Sequence, residues 1–361
     1  MWTLWMTAVV SASILFSVEV CRHGARAPNQ IFPFHRQYWR GYEPGQLTAL
    51  GQRQSYLLGV ELRRRYVEDL GLFNSTYHPG EVKVQSTDVD RTLESAYAQL
   101  SGLFPAGSGP RIPTGRVLRP PLPVRDVADI EKELGTQALP HLVQSVPIHA
   151  DDSDHVLHGY KHSVCPRISQ IKDNVKLLPE YAQLEERARA LLPDLNHLIP
   201  GGEMKEIKRL YSGLACDLAQ GNPLPAGIDL ETIRQLHRDL VVLPFKDPEA
   251  QVLSCSEFFK RLLAQFADRL AGGSLRFVLN SAHDYTLIAF LSCLGADIPA
   301  IPVFASSLLF ELYSDLTLSL VLNGSPLPCA ACADGHCPLD AFKAYIQRFT
   351  VSDIDQACES Q

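Results

Sequence analysis

The apolar runs of this chain predict a central β-sheet. Residues 13–20 (SILFSVEV) form a largely apolar run that ends two positions before Arg22, as is typical of a strand buried on both faces of an α/β sheet. Four further runs have strand character: residues 81–86, 274–280, 306–313 and 316–323. The order of these runs predicts an α/β sandwich with a mainly parallel central sheet flanked by helices.

Helical patterns separate these strands. Residues 47–71 predict a helix with Thr48 as its N-cap and Gly71 as its end, and residues 88–104 predict a second helix. From Pro105 to Phe245 the chain has Pro-rich loops and helical stretches without clear β-alternation. We therefore predict an α/β catalytic domain from residues 13–105 and 246–361. Residues 106–245 would form a smaller, mainly helical cap domain inserted into it.

The first twelve residues, MWTLWMTAVVSA, have the character of a short signal peptide with small residues at a cleavage site. No Lys or Arg precedes the apolar stretch, so an incorrectly assigned start is the alternative. Elsewhere no apolar run has the length of a membrane span. The sequence thus predicts a signal peptide at residues 1–12 and no transmembrane anchor.

Cysteines and sequons indicate an oxidising compartment. The chain has 9 cysteines, and Asn74 and Asn323 each begin an Asn-x-Ser/Thr glycosylation motif. An odd cysteine count leaves at least one thiol unpaired within the chain. Cys21 is the expected free thiol, because a strand core suits a small apolar side chain. These features predict a secreted or lysosomal, lumenal glycoprotein.

Charge is concentrated in one short segment of an otherwise acidic chain. The formal net charge is −7, which argues against a broad nucleic-acid-binding face. Yet Arg22, His23 and Arg26 stand together directly after the first strand, within the segment CRHGARAP. A local anion site explains this cluster better than a nucleic-acid surface does; a basic surface turn is the simpler alternative.

Two other segments also have charged or imidazole side chains just after a predicted strand. Arg91 follows residues 81–86, and His283 and Asp284 follow residues 274–280. Ligands of open α/β sheets bind at the carboxyl ends of the strands, where helix N-termini also attract anions. Three arginines meeting there would bind a phosphoryl dianion. Alternatively, Arg91 could pair with Asp88 or Glu94 on its own helix, and the His-Asp pair could simply cap a helix.

The histidines in such a site would have a chemical role. Neighbouring arginines disfavour the protonated imidazole, so His23 would stay neutral and could attack phosphorus to form a phosphohistidine. Asp284 could then protonate the leaving alcohol. Since arginines supply the positive charge, we expect neither a metal nor another cofactor.

The chain resembles the histidine acid phosphatases, the branch of the histidine phosphatase superfamily with prostatic, lysosomal and lysophosphatidic acid phosphatases. The segments that carry the resemblance are RHGARAP, GQLTALG, STDVDRTLESA, SAHDYTL and CPLDAF, in family order. The resemblance implies that His23 accepts the phosphoryl group and that Arg22, Arg26 and Arg91 bind it. It further implies that His283 contacts the phosphoryl group, that Asp284 donates the proton and that the molecule is a homodimer, although the sequence shows no interface.

The resemblance also implies two disulfides, Cys165–Cys358 and Cys332–Cys337. A zinc site formed by Cys329, Cys332, His336 and Cys337 is the alternative for the last pair, but its spacing is cramped. The partners of Cys216, Cys255, Cys293 and Cys329 stay open. Gln85 and Tyr285 depart from the family pattern, which often has arginine and threonine there, so both could reshape the pocket.

The predicted function is that of an acid phosphatase that hydrolyses small-molecule phosphate monoesters through a phosphohistidine. Lysophosphatidate, nucleotides and phosphotyrosine are candidate substrates, and the sequence does not choose among them. A phosphotransferase similar to phosphoglycerate mutase is an alternative, because it shares the Arg-His-Gly signature. A catalytically inactive phosphate-binding homologue is another.

Overall fold

A computed structural model describes residues 12–113, 119–151 and 155–359. The strands are β1 Ile14–Arg22, β2 Val82–Ser86, β3 His149–Ala150, β4 Phe277–Ala282, β5 Ser307–Tyr313, β6 Thr317–Leu322, β7 Ser325–Pro326 and β8 His336–Pro338. The α-helices are α1 Ala49–Arg63, α2 Asp90–Leu103, α3 Val127–Leu134, α4 His155–His158, α5 Arg167–Val175, α6 Pro179–Leu195, α7 Met204–Gln220, α8 Leu230–Val242, α9 Pro248–Leu270, α10 Asp284–Leu294, α11 Leu339–Ile346 and α12 Ile354–Cys358. Apart from Ala12, the predicted signal peptide lies outside the described residues.

The described strands form one mixed sheet in the order β3-β2-β4-β1-β5-β6-β7, with β8 also paired to β6. The strands from β3 to β1 run parallel, whereas β5, β6, β7 and β8 pair antiparallel. The predicted α/β sandwich is confirmed. The mainly parallel arrangement holds only for one half of the sheet, because residues 314–316 join β5 to β6 in a tight turn, and so short a connection allows only antiparallel pairing.

Helices cover both faces of the sheet. Phe16, Val18 and Val20 point from β1 into a core that is shared with α9, α10 and α11. Cys21 lies on the opposite face in a second core, which α1 and α2 cover with Leu62 and Leu100 among others. Burial on both faces accounts for the continuous apolar run of β1 in the sequence.

The helices between residues 155 and 242 build a further core of their own. Ile207 and Leu214 on α7 and Leu236 on α8 are fully buried in it, as is Ile168 on α5. Residues from outside the predicted insert, including Phe32, Leu253 and Ile354, complete this core. The exact domain boundaries therefore stay a prediction, whereas the helical character of the region is observed. The two-residue strand β3 was not predicted, because it is too short to show alternation.

The predicted helix ends agree with the structure in part. Thr48 caps α1, since its Oγ1 accepts a hydrogen bond from the Gly51 amide at 3.1 Å. The α-helical part ends at Arg63, and residues 64–69 continue as a π-helix before Gly71, whose φ is +58°. Gly295 ends α10 in the left-handed conformation at φ +66°.

Three disulfides are present among the described residues, and the one between Cys165 and Cys358 joins distant parts of the chain. Cys165 is bonded to Cys358, and Cys332 to Cys337, which are the two pairs that the resemblance implies. Cys332 and Cys337 are therefore not zinc ligands. The sequence left open the third pair, Cys255–Cys293. Cys21 is free and buried, as expected, and so are Cys216 and Cys329.

A carboxyl group is buried at the centre of the sheet. Glu19 on β1 has no solvent exposure and accepts hydrogen bonds from Gln99 Nε2 at 2.6 Å and Ser307 Oγ at 2.7 Å. Burial raises the pKa of Glu19 from 4.5 to about 7, although both hydrogen bonds oppose the shift. The folded protein therefore holds a proton here that the unfolded chain loses at a lower pH.

We expect Glu19→Gln to make the protein more stable than the wild type at pH 7.5, by on the order of 3 kcal/mol. Because the folded-state pKa is raised, the wild type is stabilised below pH 4.5 and loses this contribution as the pH rises through 7. Glutamine cannot ionise, so the difference should vanish near pH 4.5. Urea unfolding at pH 4.5, 6 and 7.5 measures it. Glu43→Gln, at an exposed position, is the control; a pH-independent difference for Glu19→Gln would contradict the expectation.

Candidate active site

The strand register brings the three polar segments together. β4 lies between β1 and β2 and runs parallel to both, with Arg22 opposite Ala282 and Ser86 opposite Ser281. The residues that follow each strand therefore emerge side by side at one edge of the sheet. One cavity at this edge is lined by all six residues of the predicted site, namely Arg22, His23, Arg26, Arg91, His283 and Asp284.

The turn after β1 is held tightly against the start of α1. A Cβ on Gly24 would lie 2.2 Å from the Gly51 carbonyl oxygen, and a Cβ on Gly51 would lie 2.1 Å from the Ala25 carbonyl oxygen. Thr48 adds two hydrogen bonds to that same carbonyl, from its amide at 2.9 Å and its hydroxyl at 3.0 Å. Both glycines are needed because the two backbones touch, and the contact fixes the direction of the neighbouring His23 and Arg26.

The residues of this turn are buried. Arg22 and Arg26 are less than 10% exposed and His23 is 2% exposed, so they do not form a basic surface turn. Arg22 Nη1 donates to the Pro302 carbonyl oxygen at 2.5 Å, and its guanidinium lies 4.2 Å from the centre of the Phe304 ring. Such packing fixes the orientation of Arg22 before any ligand binds.

His23 has a defined tautomer. Its Nδ1 lies 2.9 Å from the Gly24 carbonyl oxygen, which can only accept a hydrogen bond, so Nδ1 carries the proton. The lone pair of the neutral ring is therefore on Nε2. Burial, followed by the charge of Arg22, holds the pKa of His23 well below its usual 6.5. The ring stays neutral even in acidic solution, as a nucleophile must.

Asp284 is the first residue of α10 and pairs with Arg22. Its Oδ2 accepts from Arg22 Nη2 at 2.9 Å, and its Oδ1 accepts from the Tyr285 amide at 2.9 Å. Burial opposes ionisation of Asp284, but Arg22 and His283 outweigh it, so its pKa lies below the usual 3.8. Before a ligand binds, this carboxyl is ionised.

His283 caps α10 and lies between the other two strand ends. Its Nε2 is 3.0 Å from Thr87 Oγ1, its Nδ1 is 3.5 Å from Arg91 Nη2, and its ring centre is 5.6 Å from that of His23. Burial and the charge of Arg91 hold the pKa of His283 well below 6.5.

Arg91 does not pair with its own helix. It forms no ion pair with Asp88 or Glu94, and burial lowers its pKa to about 10.

One nitrogen of each guanidinium group lacks an acceptor, although Arg22 and Arg26 donate hydrogen bonds through their Nη atoms. Among the described residues, the buried Nε atoms of Arg22, Arg26 and Arg91 have no hydrogen-bond partner. Unsatisfied buried donors are rare, and charged ones are costly. The three arginines line one cavity, and this concentration of positive charge fits an anion with several acceptor oxygens.

Residues from the helical region complete the cavity, which has a volume of about 930 Å³. Arg26 Nη2 lies 3.5 Å from Ser212 Oγ on α7. Further lining residues are Tyr160, Lys161, Lys205, Lys208, Arg209, Tyr211 and His237. These residues were not predicted from the sequence, because no motif marks them and only the packing of the helices over the sheet brings them there.

The two departures from the family pattern lie in different places. Tyr285 lines the cavity, as expected of a residue that could reshape it. Gln85 does not: it lines a separate cavity of about 480 Å³ with Lys83 and His149, and its Oε1 accepts from Arg261 Nη1 at 3.3 Å. Gln85 is the last residue but one of β2. It therefore lies within the strand and not in the segment after it, where the residues that line the His23 cavity begin.

The remaining predictions concern glycosylation, metal binding and a membrane anchor. Asn74 and Asn323 are both exposed, and their glycosylation stays a prediction. Within the described ranges no cluster of three or more His, Cys, Asp or Glu side chains could hold a metal ion. In the same ranges no helix is both long and apolar enough to cross a membrane.

Several known proteins are similar to this chain in sequence or in fold. The family described as the histidine phosphatase superfamily, branch 2, matches residues 13–323. Lysosomal acid phosphatase of Xenopus laevis is 27% identical over 97% of this chain and 80% of its own length. Testicular acid phosphatase of Homo sapiens is 31% identical over 89% of this chain and 78% of its own. The phytase of Hafnia alvei in complex with myo-inositol hexakis sulphate has a similar fold, with a TM-score of 0.64 at 16% identity, over 98% of this chain and 100% of that one.

Proposed function

Since the chain belongs to branch 2 of the histidine phosphatase superfamily and is a phosphate monoester hydrolase, we propose that it acts through a phosphohistidine at His23. The observation that carries the proposal is the hydrogen bond from Nδ1 of His23 to the Gly24 carbonyl oxygen. This bond leaves the Nε2 lone pair free for attack in a cavity surrounded by three arginines.

The first step transfers the phosphoryl group to the protein. The Nε2 lone pair of His23 forms a bond to phosphorus while the bond between phosphorus and the ester oxygen breaks. Arg22, Arg26 and Arg91 stabilise the charge on the non-bridging oxygens, the role that three guanidinium groups lining one cavity fit. His283 lies beside His23 and would contact the same oxygens from the Arg91 side.

Asp284 gives its proton to the ester oxygen in this step, so that a neutral alcohol leaves. In the second step its carboxylate takes a proton from water, the water oxygen bonds to phosphorus, and the bond from phosphorus to Nε2 breaks. The products are inorganic phosphate, neutral His23 and protonated Asp284. When phosphate leaves, Arg22 is again free to hold the carboxyl ionised, and Asp284 loses this proton to solvent.

The phosphoryl group itself would adjust the protonation of Asp284. A bound dianion competes for Arg22, the group that holds the carboxyl ionised, and its own negative charge favours the protonated acid. Protonation of Asp284 in the complex is then easiest in acidic solution, where His23 is still neutral. Both conditions favour activity at acidic pH.

The relatives suggest where the protein works. Two of them are a lysosomal and a testicular acid phosphatase, and three disulfides join the chain. We propose a lysosomal or secreted enzyme whose candidate substrates are lysophosphatidate, nucleotides and phosphotyrosine. A homodimer stays a prediction.

Hydrolysis of 4-nitrophenyl phosphate between pH 4 and 7 tests this function. Because the pKa of His23 is well below 6.5, kcat/KM should hold or rise as the pH falls from 7 to 5. A loss of activity with a midpoint near pH 6.5 would mean that an ordinary imidazole is the nucleophile and would contradict the proposal.

The same preparation separates the alternatives. Incubation with 3-phosphoglycerate should release inorganic phosphate if the protein is a hydrolase, and 2-phosphoglycerate if it is a phosphotransferase. Phosphate binding without turnover of any ester would indicate an inactive homologue.

A further inference from the structure

The cavity has more positive charge than one phosphoryl group requires. Beyond the three arginines, the lysines 161, 205 and 208 and Arg209 line it. Most of these cations have a close polar partner. Lys205 pairs with Glu203 at 3.1 Å, and Arg209 pairs with Glu206 at 3.4 Å.

Lys208 differs from them. It lies on α7 and is half-buried, and no described carboxylate lies within 4.0 Å of its Nζ. The ammonium group lies 5.5 Å from the centre of the Tyr285 ring instead, a cation–π contact that fixes it without neutralising its charge. A positive charge is thus held in the cavity and remains available to an anion.

The position of Tyr285 links this charge to the reacting bond. Tyr285 directly follows Asp284, which would meet the ester oxygen, and its ring stacks on that of Tyr160 at 5.6 Å. Asp284, Tyr285 and Lys208 line the same cavity, so a leaving group that departs beside Asp284 has both the ring and the ammonium group within that cavity.

His237 on α8 adds a hydrogen-bonding group to the same region. It is 9% exposed, lines the cavity, and its buried Nδ1 has no partner among the described residues. The Tyr211 ring packs against it at 4.7 Å. Burial and the nearby charge of Lys208 lower the pKa of His237 to about 3, so it is a neutral hydrogen-bonding group there.

We propose that Lys208 and His237 form a second subsite, with Tyr285 as its floor, which binds an anionic group on the leaving alcohol. The subsite rests on the proposed hydrolase function, because it selects among phosphate monoesters. Its ligand is a carboxylate or a further phosphate several ångströms from the ester oxygen. A lysine suits such a group as a point charge, and the neutral His237 ring, which lines the cavity, supplies a hydrogen-bonding group.

The test compares two esters that share one leaving phenol. N-acetyl-O-phosphotyrosine carries a carboxylate, and N-acetyl-O-phosphotyrosinamide has a neutral carboxamide in its place. We expect wild-type kcat/KM to favour the carboxylate about fivefold at low ionic strength, and this preference to shrink in 0.5 M NaCl. Lys208→Met should bring the ratio close to one, and His237→Phe should lower it in part.

Lys205→Met is the matched control, because Lys205 lines the same cavity but is paired with Glu203. It should leave the ratio almost unchanged. The subsite is refuted if Lys208→Met keeps the wild-type ratio, or if Lys205→Met lowers it equally, which would indicate only the general field of the cavity. Hydrolysis of both esters without preference by the wild type also refutes the subsite while the proposed function stands. If the wild type hydrolyses neither these esters nor 4-nitrophenyl phosphate, the proposed function itself fails.

Discussion

His23→Ala lowers kcat for 4-nitrophenyl phosphate by roughly 10⁴-fold or more, if His23 is the nucleophile, because the reaction loses the group that accepts phosphorus. The arginines remain in place, so inorganic phosphate should still bind with nearly the wild-type affinity. Initial rates at pH 5 and isothermal titration with phosphate measure the two effects separately.

His197→Ala is the control for this substitution, since His197 is exposed and does not line the cavity. It should retain wild-type activity. A His23→Ala enzyme that keeps activity within tenfold of the wild type would show that another group attacks phosphorus.

Asp284→Asn should lower kcat/KM by an amount that depends on the leaving group. Phenyl phosphate releases a poor leaving group that needs a proton, and its kcat/KM should fall about 10³-fold. With 2,4-dinitrophenyl phosphate, whose phenolate leaves without a proton, the loss should be only about tenfold. The parameter kcat/KM reports the step in which the ester bond breaks and is independent of the later hydrolysis of the phosphoenzyme.

Asparagine keeps the size of Asp284 and one oxygen for the hydrogen bond from Arg22, so the substitution mainly removes the proton. The phosphoenzyme should also accumulate in this variant with the good leaving group, since the base for its hydrolysis is missing. Equal losses of kcat/KM for both esters would contradict the acid role of Asp284.

The phosphoryl site was predictable because its residues follow strands. Arg22, His23, Arg91 and Asp284 each stand shortly after an apolar run, and parallel strands place their carboxyl ends together. The glycines of the motifs are required by close backbone contacts, as between Gly24 and the Gly51 backbone, where a Cβ would not fit. The local sequence was therefore sufficient to predict those site residues whose positions are set by the end of a strand.

The rest of the cavity depends on contacts between distant segments. Lys208 and His237 are on different helices of the region where the sequence has no motif, and only their packing over the sheet brings them near Tyr285. The Cys255–Cys293 pairing follows likewise from the packing of α9 on α10. Gln85 was expected near the site, but its strand position directs it to another cavity.

The central claim is that Nε2 of one uncharged imidazole, surrounded by guanidinium groups, takes the phosphoryl group. Rapid quenching of the wild type or of Asp284→Asn with ³²P-labelled 2,4-dinitrophenyl phosphate, followed by peptide mapping, tests it directly. The label should be on Nε2 of His23, stable in base and lost in acid. Turnover without any labelled protein, or a label on another residue, would contradict the account.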